Sequence, residues 1–328
     1  MGARAAGPLD LPGVTGYMTR LLRDPAAILG CVLPATFAGG AIAGWPRLLP
    51  GLLGMPSRVS VWMEDQAGRT RAVALVYESR RPEWVVLILA ADPTPAGMDG
   101  AFRLLSMVCA AGARRGVHRV FGSVPDEVRP RETFFQAGFY SYTRETWYVS
   151  GSADLPQPAR DVAARPARPA DAHDLFRLYA ASTPHAVQRA EQLSVPDFDV
   201  GQQAGALEPP HLVSGNPLAM RRASTLVVRS EDRARCLAVA FRGSDRHPHA
   251  LKVRTADVDV DTARDLVRWV AKDLPADRPL AAPVRSYEEH VARALLSEGF
   301  KESATAMLFV KELAVRIEEP ALAPVVVR

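Results

Sequence analysis

Three short stretches hold most of the groups that could do chemistry. AGMDGA, residues 96–101, sets Gly97 and Gly100 ahead of an apolar helical run. Glycine there lets a backbone approach an anion, and a helix start favours negative charge. Asp99 lies between them; it could cap the helix, but its charge would oppose a phosphate. VDVDTA, residues 258–263, has no glycine, and Asp257, Asp259 and Asp261 crowd the start of another helix. Such acids are ordinary caps, whereas two like unit charges about 4 Å apart near a surface repel by ~4 kcal/mol. Histidines form the third group. His247-Pro248-His249 has the form of a metal pair, yet a proline in a polar turn marks a loop and no third ligand is in local reach. Glu288-Glu289-His290 falls on a predicted helix, where neighbours face apart, so a solvated face is expected. His185 follows Thr183-Pro184 and could act as a base near neutral pH; its commoner role is a polar residue in a first helical turn.

Composition removes several functions. The chain has 328 residues, 48% hydrophobic and 23% charged, and its 40 Lys and Arg against 36 Asp and Glu leave a net charge of +4. That suits two globular domains. No basic tail or basic helix face is present, so nucleic acid is not an expected partner. Cys31, Cys109 and Cys236 are isolated and odd in number, which fits a reducing, cytoplasmic location and no metal. GxSxG, GxxxxGK[ST], HExxH and dinucleotide motifs are absent. Residues 25–46 carry no charge and are long enough to span a bilayer. Pro34 and the Ala and Gly content make a buried helix pair over a sheet the better expectation, with no membrane role.

Two half-chains repeat one order of elements. RVSVWMED (58–65) and RAVALVYES (71–79) alternate as an antiparallel pair, and WVVLILAAD (84–92) is a strand buried on both faces. A helix from 101 ends near Gly116, a strand follows at 117–124, and a short helix closes at Gly138 before the strand YSYTRETWYV. Residues 150–166 read as a linker. Downstream come a helix near 170–182, a helix with Thr183 as N-cap and Pro184 at its first position, and strands at 224–232, 234–244 and 250–258. A helix (262–274), a strand (278–284), a helix ending at Gly299 and the strand KESATAMLFVKEL complete the half. FFQAGFY (134–140) and LLSEGFK (295–301) mark one joint twice.

This order, with the Gly-Phe joints and the opening ARPARPADAHDLFRLY of the second half, resembles the GNAT superfamily of acyl-CoA-dependent acyltransferases over residues 57–150 and 165–313. The resemblance implies an α/β (α+β) fold of two tandem GNAT-like domains, each a twisted mixed sheet flanked by helices. Its central strands would splay to admit a pantetheine arm. The family signature, Arg/Gln-x-x-Gly-x-Gly/Ala, maps onto 96–101, with Ala96 for the Arg or Gln, Asp99 for the first Gly and Ala101 at the last position. The cofactor-binding residues implied are Leu89, Ala90 and Ala91 on the strand and Gly97, Met98, Gly100, Ala101 and Phe102 at the helix start. The family's Tyr general acid, four residues before the joint glycine, is Phe134 and Leu295 here, and neither transfers a proton. Tyr140, Tyr142 and Tyr287 do not inherit the position, so catalytic residues are unassigned.

The resulting expectation is an N-terminal domain (1–150) with an apolar helical lead-in, a linker (151–165), a C-terminal, degenerate domain (166–315) and a tail (316–328). Residues 323–328 are strand-like and are expected at a sheet edge of the first half or a neighbouring chain. The activity implied is acetyl transfer from acetyl-CoA or another acyl-CoA, a coenzyme A thioester, to a small-molecule or peptide amine, without a metal. A non-catalytic pseudo-acyltransferase serving as a binding or scaffolding module is the alternative. A homodimer is compatible with either.

Overall fold

The structure is a computed structural model that describes residues 2–21, 23–32, 59–66, 68–79, 82–200, 221–230, 233–243, 248–256 and 258–314. The strands are β1 (Ala3–Ala5), β2 (Ile28–Cys31), β3 (Val59–Gln66), β4 (Arg69–Glu78), β5 (Glu83–Ala91), β6 (Arg119–Pro125) and β7 (Tyr140–Ser150). The second half adds β8 (Arg165–Pro166), β9 (Arg221–Ser230), β10 (Arg233–Arg242), β11 (His249–Thr255), β12 (Leu280–Arg285) and β13 (Lys301–Glu312). Among the described residues the helices are α1 (Leu11–Leu21), α2 (Pro95–Arg114), α3 (Val128–Gln136), α4 (Ala172–Ser182), α5 (His185–Glu191), α6 (Val260–Ala271) and α7 (Glu289–Ser297).

All thirteen strands among the described residues join one mixed sheet in the order β1-β3-β4-β5-β6-β13-β7-β12-β11-β10-β9-β8, with β2 added against β5. The two Gly-Phe joints are physically alike. Gly138 and Gly299 hold φ of 82° and 81°, the left-handed turn that ends α3 and α7 and that glycine alone takes without strain. Phe139 N–H then bonds Phe134 O at 3.0 Å and Phe300 N–H bonds Leu295 O at 3.2 Å, which drives each Phe into a core.

After these joints the halves exchange strands. β13 runs antiparallel to β6 of the first half, and β7 runs antiparallel to β12 of the second. β13 and β7 also pair with each other at the centre. The alternation of YSYTRETWYV and KESATAMLFVKEL specifies a strand but not its neighbour, so the exchange is invisible in the sequence.

The sheet is covered on both faces. On one, α1 packs Val14, Tyr17, Met18 and Leu21 onto Val73, Leu75, Val85 and Leu87. On the other, α2 packs Ala101, Leu104, Leu105 and Val108 onto Ala74, Val86 and Leu89. α4 and α5 share the face of α1, while α6 and α7 share the face of α2. Burial of strands such as β5 on both sides explains their unbroken apolar runs.

Several elements differ from expectation. The opening strand of the first half is β1, which takes the free edge of β3 through Ala3↔Glu64 and Ala5↔Trp62. The tail from 315 lies outside the described residues. Of the apolar segment 25–46, Pro25–Ala27 is a 3-10 turn and Ile28–Cys31 is strand β2, not a helix; residues 33–46 lie outside the described residues. Among the described residues no helix is long and apolar enough to cross a membrane. α2 starts at Pro95, earlier than predicted, because Thr94 caps it. α5 starts at His185 with Pro184 as its cap residue, since the Thr183 hydroxyl is taken by Arg254.

Candidate functional site: two clefts at one place in the sheet

In the first half, β5 and β6 pair in parallel from Glu83↔Arg119 to Val86↔Gly122 and then part. β2 lies in the gap. It runs antiparallel along β5 with Ile28↔Ala90, Gly30↔Leu89 and Cys31↔Ile88, and Val32 N–H adds a bond to Leu87 O at 3.1 Å. It forms no ladder with β6. Contact there goes through Gly30, where an added Cβ would stand 3.2 Å from Phe134 Cζ and 3.3 Å from Ser123 O. Leu29 points into the α2 and α3 side, wholly buried, and Ile28 and Cys31 point to the α1 side. Beside β2 on the α1 face is a cleft of ≈ 470 Å³ lined by Ile28, Cys31, Ser123, Asp126, Glu127 and Trp147, among others. Asp126 is held by Arg131 at 3.0 Å and Arg144 at 2.9 Å.

In the second half the corresponding strands, β11 and β12, pair only at His249↔Leu280 and Ala250↔Ala281. Among the described residues no strand fills the remainder. Instead Lys252 and Arg254 from β11 and Arg285 from β12 are buried on the α4 and α5 face with Glu145, Glu191 and Glu288. Arg285 Nε lies 2.8 Å from Glu145 Oε2, and Arg285 Nη1 lies 3.6 Å from Glu191 Oε1. Tyr179 donates its hydroxyl to Glu191 at 2.9 Å, and the Arg254 guanidinium stacks 5.1 Å from the Tyr179 ring centre. Side chains cross the gap: Arg254 Nε is 3.9 Å from Glu288 Oε1, and Thr255 Oγ1 meets His290 Nε2. Burial, then the charge of Arg285, pushes the Lys252 ammonium down to about 7. Burial raises the Glu191 carboxyl against the pull of Arg285.

No family model matches the sequence, and no curated protein matches it. Solved structures do resemble the fold. A tandem GNAT protein from the clavulanic acid biosynthesis pathway superposes with a TM-score of 0.50 at 11% identity, covering 96% of this chain and 99% of that one. A GCN5-related N-acetyltransferase from Sphaerobacter thermophilus gives 0.50 at 13% identity, covering 97% of each. The chain has a tandem GNAT fold.

Within that fold the sequence-derived residues separate into two groups. Leu89 and Ala90, on the edge of the parting, have their backbone partners in β2, and Ala91 pairs with Ala72 of β4. Gly97, Met98, Gly100, Ala101 and Phe102 lie inside α2, not in a loop before it. Of the first-turn donors, Gly97 N–H goes to Thr94 Oγ1 at 3.2 Å and Met98 N–H to Thr94 O at 3.0 Å, while Pro95 has none. The glycines answer to packing. A Cβ on Gly97 would stand 2.1 Å from Asp92 O, and one on Gly100 would stand 3.0 Å from Arg71 Cβ. Ala101 is buried against the sheet, and Phe102 is exposed on the helix surface. Asp99 does not cap α2; Thr94 does.

In the second half Asp259 caps α6 by accepting from Thr262 N–H at 2.7 Å, as expected of it, and Asp257 lies outside the described residues. Glu288 is not on a solvated face. It is buried and accepts from Arg285 N–H at 3.0 Å. His249 is buried too, accepting from Gly243 N–H at 3.0 Å on Nδ1 and meeting Asp277 at 3.0 Å on Nε2, a structural pair; His247 lies outside the described residues. Among the described residues no group of three ligating side chains could hold a metal. His185 is exposed on the first turn of α5. Phe134 and Leu295, at the position of the family's proton donor, are both fully buried. Tyr140 donates to Glu312 at 3.1 Å, and Tyr142 packs edge-on against Phe121. The ionic group around Arg285 and the role of Ile28–Cys31 were missed by sequence reasoning. The only signal was charge at every second position of LKVRT, which alternation alone assigns to a solvated face.

Proposed function

We propose that this chain is a non-catalytic tandem GNAT-fold module, an acyltransferase architecture used for binding or scaffolding. One observation carries the reading: β2 lies along β5 at Leu89 and Ala90, where the pantetheine arm of an acyl-CoA would run. A pantetheine amide and a peptide strand make the same kind of bond to a strand edge, so they compete for it. As folded, these residues do not fit an acyl-CoA. The buried apolar residues at the two proton-donor positions, and an α2 start where Thr94 already takes the Gly97 and Met98 N–H groups, support the same reading. Calorimetric titration of the full chain with acetyl-CoA and with free coenzyme A should give no heat at micromolar ligand. Micromolar binding by the unaltered chain would overturn the proposal.

A second reading is acyl-CoA-dependent N-acyl transfer, with acetyl transfer to an amine as its simplest form. It is favoured by the brevity and one-sided pairing of β2, four residues bonded, among the described residues, to β5 alone, with the ≈ 470 Å³ cleft beside it. If β2 left, Leu89 and Ala90 would hold the arm, and the start of α2 from Gly97 to Phe102 would face the phosphates. The thioester would supply the activated acyl group. Re-exposing Ile28 and Leu29 costs about 3–6 kcal/mol, at about 1.5–3 for each buried side chain. A micromolar site would then show an apparent constant above about 0.1 mM. Leu29→Ala should weaken the closure. Micromolar heat and thiol release in that variant, absent from the unaltered chain, would establish this reading over the first.

A further inference from the structure

A second cavity, of ≈ 470 Å³, opens on the α1 face past the end of β5, on the β4 side and away from the parting of β5 and β6. Its walls are Gly13, Gly16, Tyr17 and Arg20 of α1, Arg69, Thr70 and Arg71 at the start of β4, and Asp92. Three guanidinium groups meet one carboxylate there. Asp92 gives one oxygen to Arg20 at 3.3 Å and the other to Arg71 at 3.7 Å, which leaves an excess of two positive charges. Acidic neighbours are already engaged: Glu64 with Arg103 at 2.8 Å, and Asp65 with Arg4 at 3.2 Å and the Thr70 hydroxyl at 2.9 Å.

The pocket is built in other respects too. Tyr17 donates its hydroxyl to Arg71 O and accepts from Asp92 N–H at 3.1 Å, which fixes the floor and the two chain ends that carry the charges. Arg71 Nε is buried and has no hydrogen-bond partner among the described residues. α1 turns glycines to the cavity, and a Cβ at Gly13 or Gly16 would meet nothing within 4 Å. The helix therefore leaves room where another residue would project.

We propose that this pocket binds a phosphoryl dianion, with the guanidinium groups of Arg20, Arg69 and Arg71 as its donors. Their charge excess matches a dianion, and planar forks suit phosphate oxygens. The volume exceeds one phosphate and falls in the range of small-molecule sites. The same chemistry could come from inorganic phosphate or from an organic phosphomonoester. The inference does not depend on whether the cleft beside β2 opens.

The test is thermal unfolding and calorimetry of the full chain at constant ionic strength, with inorganic phosphate, glycerol 3-phosphate or chloride. Both phosphates should raise the midpoint above the chloride value. A gain of about tenfold in affinity for the ester would make the ligand an organic phosphomonoester, and equal affinities would make it free phosphate. Arg69→Ala, an exposed change, should weaken binding at least about fivefold. Gly16→Leu fills the cavity from a helix position that tolerates leucine and should abolish binding while the chain stays folded. Asp92→Asn should tighten it. A phosphate effect no larger than that of chloride, or one that survives unchanged in Gly16→Leu, would overturn the proposal.

Discussion

The parting of β5 from β6 and the parting of β11 from β12 are one structural feature built twice, and the chain closes them by different chemistry. The first is filled by a strand: Ile28, Leu29 and Cys31 bury apolar surface, and the backbone of β2 satisfies the edge of β5. The second is filled by side chains: Lys252, Arg254 and Arg285 set against Glu145, Glu191 and Glu288. A strand plug is separable in principle, because it belongs to another part of the chain and can leave as a unit. An ionic plug is not, because each charge depends on the others for its burial. The fold thus holds one cleft that could open and one that is locked.

The largest effect should come from breaking the lock. Arg285→Met leaves Glu145 and Glu191 buried without their nearest cation and should lower unfolding stability by about 3–5 kcal/mol in a denaturant titration. Replacing Glu145 and Glu191 by leucine in the same chain should return most of that loss, since apolar packing can substitute for a buried ionic group. If the triple variant stays as unstable as Arg285→Met, the group has a role beyond filling space. On the other side of the comparison, Leu29→Ala should cost about 2–3 kcal/mol, at the low end for a buried leucine because β2 can shift to close the void. A loss equal to that of Arg285→Met would erase the distinction between a separable plug and a fixed one.

These two closures were unequally legible in the sequence. The order of strands and helices was readable, because alternation, apolar runs and the Gly138 and Gly299 turns are local. The plug was not. PAAILGCVLP is uncharged and short, and periodicity cannot tell a buried strand from a helical segment at that length. The ionic group was not readable either, since Glu145, Glu191 and Arg285 come together only through the exchange of β7 and β13 and the docking of α5. Gly97 and Gly100 permit close helix-to-sheet packing against Asp92 and Arg71, a demand that leaves the same residue in the sequence as backbone freedom for a ligand.

A smaller effect tests the wall shared by β2 and β6. A Cβ at Gly122 would stand 2.6 Å from Phe134 Cε1, and one at Gly30 of β2 would stand 3.2 Å from Phe134 Cζ. Gly122→Ala should cost about 1–3 kcal/mol by overpacking. Phe134→Leu in the same chain should relieve part of that cost, a coupling that a double-mutant cycle measures. Additive losses would mean that Phe134 moves freely and does not brace the plug.

The mildest perturbation is pH, and the rise it produces should come from the second cleft. Lys252 is held down to about 7 in the fold, first by burial and then by Arg285, from an ordinary 10.5. Between those values the unfolded chain binds more protons than the folded one, so stability rises with pH. The rise should begin near pH 7. Toward alkaline pH it meets an opposite trend, because burial pushes the Cys109 thiol up to about 11 and the Cys236 thiol to about 12, from 9.0. Above pH 9 unfolded thiols ionise while the buried ones stay protonated, and stability falls. Glu191, raised by burial from 4.5, contributes a loss of stability as pH rises from that value. Unfolding free energies from urea titrations should therefore climb from pH 7 to a maximum near pH 9, by about 1 kcal/mol. Lys252→Met should remove the climb and leave the alkaline fall. A flat profile in the unaltered chain would show that Lys252 stays charged, held by Glu145 and Glu288, and that the second cleft is closed by fully ionised pairs.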